Sequence, residues 1–168
     1  DSPIVSHLMQ KLETSNDKLS FARVDADHLD NLIKKEDTQI SKLSDEEKEQ
    51  LKGNIEEVTK AKGYTIQLEA MDSEASPFII TEPEFMRRMK EMQQTGGGGM
   101  FGMGNMPEMY NLIVNINHPL VGEILGTKTA KKRDRLIKQS LDLARLSKGL
   151  LKGEELTKFI SRSYEMIK

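Results

Sequence analysis

Leu51, Ile55 and Val58 recur at spacings of four and three, the period of one helix face. Just upstream, Ser44-Asp45-Glu46-Glu47 has the spacing of a capping box, so a helix is expected from there to about Lys62, with Gly63 placed to end it. Nearer the start, Ile4, Val5, Leu8, Met9 and Leu12 form a shorter helical stripe, broken by the turn-like run from Thr14 to Lys18. Ser20 to Val24 alternates like a strand, and Asp25 or Asp27 can cap a following helix that carries Leu29, Leu32 and Ile33. After Gly63 the pattern changes to that of strands. Tyr64–Leu68 and Pro77–Ile80 read as strands joined by a polar turn, and Tyr110–Ile116 is the strongest strand pattern in the chain. Asn117-His118-Pro119 stops it and starts a helix, with His118 as a capping residue and Pro119 in the first helical position. Leu120, Val121, Ile124 and Leu125 follow before Gly126.

From Ala130 to Ser147 a helix carries Leu136, Ile137, Leu141, Leu143, Ala144 and Leu146, which span more than half of its circumference. That sector is too wide for packing against a single neighbour. Gly149 and Gly153 bracket Leu150-Leu151, and a last helix carries Leu156, Phe159, Ile160, Tyr164 and Ile167 in one stripe. Glu154 and Glu155 suit its positive end. Such a pair has two destinations. It can meet the same pair from a second copy in a four-helix bundle, through Leu136, Ile137, Leu141, Ala144, Leu156, Phe159, Ile160, Tyr164 and Ile167, or it can close this chain's own core.

Between the second and third strands lies Thr81–Met109, which holds seven of the ten methionines. Thr81 and Glu84 form a second capping box, with Pro83 in the first turn, so a short amphipathic helix is expected over about 82–94. Phe85, Met89 and Met92 share one face, with Met86 beside them. Methionine is flexible and polarizable, which suits either a core or a surface that fits many partners. Four glycines and a Gly/Met run follow, and no regular element would choose them.

Composition narrows the functional classes. A charged fraction of 31% with net charge −2 gives no basic face for nucleic acid, and the lack of cysteine excludes disulfides and thiolate metal sites while suiting a cytoplasmic setting. No run approaches the roughly 20 apolar residues of a membrane helix. Because the chain opens at Asp1 without methionine, it reads as part of something longer. His7, His28 and His118 are isolated, without the paired spacing of a zinc site, and no serine sits in a nucleophile elbow. Asp25, Asp27 and Asp30 fall at a helix start, where acids are expected, and Lys131-Lys132-Arg133 reads as a solvated face. Gly97, Gly99 and Gly102 satisfy the spacing of a dinucleotide fingerprint, but they follow a helix and precede a strand, which is the wrong order. Gly126-Thr127-Lys128-Thr129 lacks the upstream glycine of a phosphate loop at the required distance and reads as a loop. No catalytic residue, metal ligand or cofactor-binding residue emerges.

Several stretches, taken in order, resemble the C-terminal domain of the heat-shock protein 90 chaperones, bacterial HtpG type. They are Phe21–Ile33, Leu43–Val58, Ser76–Thr81, Phe85–Gln93, Asn115–Val121, and the terminal Leu143–Leu151 with Phe159–Ile167. The resemblance covers about residues 20–168 and implies that 1–19 end a middle domain. It implies an α+β fold, with a small mixed sheet of about three to four strands packed with helices and a C-terminal helix pair forming an intermolecular four-helix bundle. It also implies a homodimer without catalysis of its own, the ATP site of the parent chaperone lying in an N-terminal domain. On the same resemblance, Phe85, Met89 and Met92 are expected to contact unfolded or partly folded client proteins, with Met86 added because it lies beside them. The Gly/Met run departs from better-known members, and the acidic tail of the eukaryotic cytosolic members is missing. The competing expectation is a stand-alone nucleotide-binding module that uses the glycine-rich segment 96–104.

Overall fold

The computed structural model describes residues 3–16, 18–19, 21, 40–59, 63–83, 86 and 109–167. These fall into two compact units, one formed by Asp1–Lys35 with Glu82–Pro107 and the other by Glu36–Thr81 with Glu108–Lys168. In the first unit the opening stripe forms helix α1, Pro3–Ser15. Its Val5, Leu8, Met9 and Leu12 are exposed. The turn expected after it begins at Asn16, whose Oδ1 accepts the Lys18 N–H at 3.2 Å. Of the strand and helix expected over 20–33, Phe21 is described, outside any regular element and with its N–H on Glu13 Oε1 at 2.7 Å, and the other residues lie outside the described ones.

The second unit is α+β. Helix α2 spans Asp45–Thr59, followed by strands β1 (Tyr64–Glu69), β2 (Phe78–Thr81) and β3 (Tyr110–Asn115), then helices α3 (Pro119–Gly126), α4 (Ala130–Ser147) and α5 (Gly153–Ile167). The strands form one mixed sheet in the order β1-β3-β2. β3 runs parallel to β1, with Tyr64 opposite Tyr110, and antiparallel to β2, with Thr81 opposite Asn111. Its central place explains why it carries the strongest strand pattern: Leu112, Ile113 and Val114 are all buried, so both faces must be apolar. Leu112, Val114 and Ile116 join Leu51 and Ile55 of α2, Phe78 and Ile80 of β2, Val121 and Ile124 of α3, and Ile137, Leu141 and Ala144 of α4 in one core. Among the described residues, α5 contributes no side chain to that cluster.

Local chemistry sets the ends of these elements. The capping box at α2 forms as its spacing requires: the Ser44 N–H donates to Glu47 Oε2 at 2.8 Å, and the Glu47 N–H donates to Ser44 Oγ at 3.3 Å. The Ser44 N–H, and the Ser44 hydroxyl that donates to the same Glu47 oxygen at 3.0 Å, hold the Glu47 carboxyl below its ordinary range. At α3 the Leu120 N–H donates to His118 Nδ1 at 3.1 Å, and Pro119 occupies the first turn. α4 stops in a Schellman motif, with the Gly149 N–H on Leu146 O and the Leu150 N–H on Arg145 O. Gly149 provides the positive φ of +67° that this geometry needs.

Asn115 and Asn117, on either side of the end of β3, hold the surrounding loops. Asn115 is fully buried. Its Oδ1 accepts the N–H groups of Met71 and Asn117 at 3.2 and 3.1 Å, and its Nδ2 donates to Asp72 O at 2.7 Å. Asn117 accepts the Lys42 N–H and donates to the carbonyls of Ile40 and Met71. Two amides therefore tie the β1–β2 turn and the approach to α2 to the strand-to-helix corner. Buried backbone groups need such partners wherever no ladder reaches them.

Candidate functional site

The terminal helix pair carries most of the residues singled out from the sequence, and the fold divides them. On α4, Ile137, Leu141 and Ala144 point into the chain's own core, at no more than 5% exposure, and Leu136 packs against it half-buried. Within one copy, then, Ile137, Leu141 and Ala144 leave little area for a second copy to cover, whereas Leu136 keeps some. Leu143 and Leu146 lie on the uncovered remainder of the same wide sector, at 51% and 41% exposure. The sequence stripe contained them without distinguishing them from the inward leucines.

α5 is divided in the same way. Phe159 is buried and Leu156 half-buried, whereas Ile160, Tyr164, Met166 and Ile167 are exposed, Tyr164 at 66% and Ile167 at 81%. About half of one apolar sector faces inward and the other half faces solvent.

The contact between α4 and α5 is largely polar. The Asp142 carboxylate, 6% exposed, receives Arg145 Nη1 on one oxygen at 3.1 Å and Arg162 Nη2 on the other at 2.7 Å. Arg145 also bonds Glu155 at the start of α5. Arg162 Nε donates to Gln139 Oε1 at 2.8 Å, and Gln139 Nε2 donates to Ser163 Oγ at 2.7 Å. Farther along, Arg135 Nη2 reaches Glu165 at 3.1 Å. The Arg162 guanidinium lies 5.8 Å from the Phe159 ring centroid, within cation–π range. Burial alone would lower the Arg145 pKa, but the Glu155 and Asp142 carboxylates outweigh it and hold the group above its ordinary value. Burial raises the Tyr64 phenol, which faces Arg145 from β1. Of these charged residues the sequence marked out Glu155 alone, as an acid suited to the start of the last helix. On an amphipathic helix the others read as a solvated face.

Of the methionine-rich stretch, Met86 is helical and buried. Phe85, Met89, Met92 and the glycine-rich segment 96–104 lie outside the described residues. Gly126-Thr127 completes the end of α3, with the Thr127 N–H on Ile124 O at 3.3 Å and Thr127 Oγ1 on Glu123 O at 2.7 Å. Among the described residues no group of three His, Asp or Glu side chains is placed to hold a metal ion, and no helix is long and apolar enough to cross a membrane.

The chaperone protein HtpG of Bacteroides fragilis (strain 638R) is 31% identical over 235 residues, covering 99% of this chain. Nearly the whole chain is thus similar to one part of the HtpG chaperones. HtpG of Porphyromonas gingivalis (strain ATCC 33277) matches at 31% and that of Bacteroides thetaiotaomicron at 30%, again over 99% of the chain. The chain spans about a third of the length of these HtpG relatives, 34% in each case. The matched span also exceeds the 168 residues present here, so the HtpG relatives carry further residues inside it. No protein-family model matches the chain.

Proposed function

We propose that this chain is the part of an HtpG-type chaperone that joins two copies and meets client proteins in the cytoplasm. In this reading residues 20–168 form the joining domain and 1–19 the end of the domain before it. Catalysis is not part of its role, and ATP is handled by the rest of the chaperone. The observation that supports the reading most is the uncovered apolar surface of Leu143 and Leu146 on α4 with Ile160, Tyr164, Met166 and Ile167 on α5. Large apolar side chains left uncovered on two successive helices are costly in water, and a second copy of the same helix pair would cover them as a four-helix bundle. The match to proteins named as chaperones adds to this, and it lends nothing to a stand-alone nucleotide-binding module.

Sedimentation velocity from nanomolar to high micromolar concentration tests the joining role. The chain is expected to dimerise, and Ile160→Glu is expected to weaken the dimer by roughly 100-fold, because a carboxylate would have to enter an apolar contact. Ile160 is the better position for this than Phe159, which is buried within the chain. A monomer at every concentration, or an unaffected Ile160→Glu dimer, removes the reading. Client contact is a separate matter, supported by the sequence pattern of Phe85, Met86, Met89 and Met92. Met89→Ser with Met92→Ser should reduce suppression of aggregation of a heat-unfolded reporter protein while the dimer persists. Undiminished suppression would dismiss that role.

A further inference from the structure

α5 differs from every other element of its unit in how it is attached. Among the described residues, Phe159 is its buried side chain, and the helix adds nothing to the core cluster. Leu156 is half-buried, and polar links through Glu155, Arg162, Ser163 and Glu165 tie the helix to α4. The helix leaves its linker at Gly153, whose φ is +56°, while Leu151 just before it is buried and Leu150 packs on the core. The linker is therefore anchored at its leucines and free of side-chain constraint where α5 begins.

Apolar packing is tolerant of direction, whereas hydrogen-bonded ion pairs hold only over a narrow range of distance and angle. Arg162 uses Nε on Gln139 and Nη2 on Asp142, two anchors spaced three residues apart on α4. We infer that Arg162 is a positioning residue, latching α5 onto Gln139 and Asp142 so that Ile160, Tyr164 and Ile167 are presented at the angle a second copy requires. The inference rests on the joining role proposed above. It goes further in assigning control of the apolar surface to a buried polar contact behind it. The side chain of Arg162 is 13% exposed and stands apart from the uncovered stripe, so its effect on association has to pass through the placement of α5.

Arg162→Met keeps an unbranched apolar stem but removes the guanidinium, and with it the cation–π contact to Phe159, while Asp142 stays paired with Arg145. Two measurements on the chain follow. Hydrogen exchange of the α5 amides should quicken at least tenfold in Arg162→Met, with the β3 amides unchanged. The dimer should weaken at least tenfold by sedimentation, and Arg162→Lys, which keeps the charge and one contact, should recover part of both effects. Unchanged exchange of α5 would overturn the latch whatever the oligomeric state. Faster exchange of α5 with an unweakened dimer would overturn the link between latch and surface. If the wild-type chain is monomeric throughout, the joining role fails on its own, and the exchange measurement still decides whether Arg162 holds α5.

Discussion

Replacing Asp142 with alanine should lower the free energy of unfolding by about 3–5 kcal/mol, measured by urea denaturation followed by circular dichroism. The carboxylate is 6% exposed and lies between two guanidinium groups at 10% and 13% exposure. Removing it leaves Arg162 without a carboxylate, on Gln139 and the Phe159 ring, and leaves Glu155, which is itself half in solvent, as the carboxylate paired with Arg145. The loss is large because the two remaining cations stay buried, close together and poorly compensated, and not because the intact cluster is itself strongly stabilising. Asp142→Asn separates shape from charge: it preserves volume and should still cost more than half as much. A loss below about 1 kcal/mol for Asp142→Ala, the range of exposed ion pairs, would mean that the cluster is hydrated in solution.

Asn115→Ala should cost about 3–4 kcal/mol by the same measurement. The amide is fully buried and satisfies two backbone N–H groups and the Asp72 carbonyl. Alanine would strand the Met71 and Asn117 N–H groups at roughly 1–3 kcal/mol for each unsatisfied buried group, partly relieved where water can enter. Asn115→Asp is the informative companion. Its oxygens could still accept both N–H groups, but an ionised carboxylate cannot donate to the Asp72 carbonyl and carries a charge into a closed site. It should be no more stable than the alanine variant. Near-neutral behaviour of either variant would show that the β1–β2 turn has other anchors.

How much of this was legible beforehand depended on the kind of interaction. The Ser44–Glu47 box, the His118-Pro119 start, the central strand and the limits of α4 were all readable, because each is fixed by residues a few positions apart. Periodicity also located the apolar sectors of α4 and α5. It could not say which part of a sector meets which neighbour, so Ile137 and Leu143, or Phe159 and Ile160, looked alike until the fold placed them. The Asp142 cluster left no trace in the pattern at all. Its partners are 3 and 20 residues away, and a charged residue looks the same in sequence whether it faces water or another charge. Asn115 was legible only as part of the third strand and Asn117 only as its stop, and their long-range bonds to 40–42 and 71–72 depend on tertiary proximity.

The antiparallel pairing of β2 with β3 places Thr81 directly opposite Asn111, although the chain between them travels through the other compact unit over 82–107. In topological terms the second unit is a closed circuit with an insertion spliced into one hairpin, entering and leaving through adjacent doors. The sheet fixes only where that insertion begins and ends. Its length and composition can therefore change over evolution at little entropic cost to the sheet, since each doubling of a loop costs only about 0.6 kcal/mol. A segment free to vary in this way can be refitted to new binding tasks while the framework that carries it stays the same.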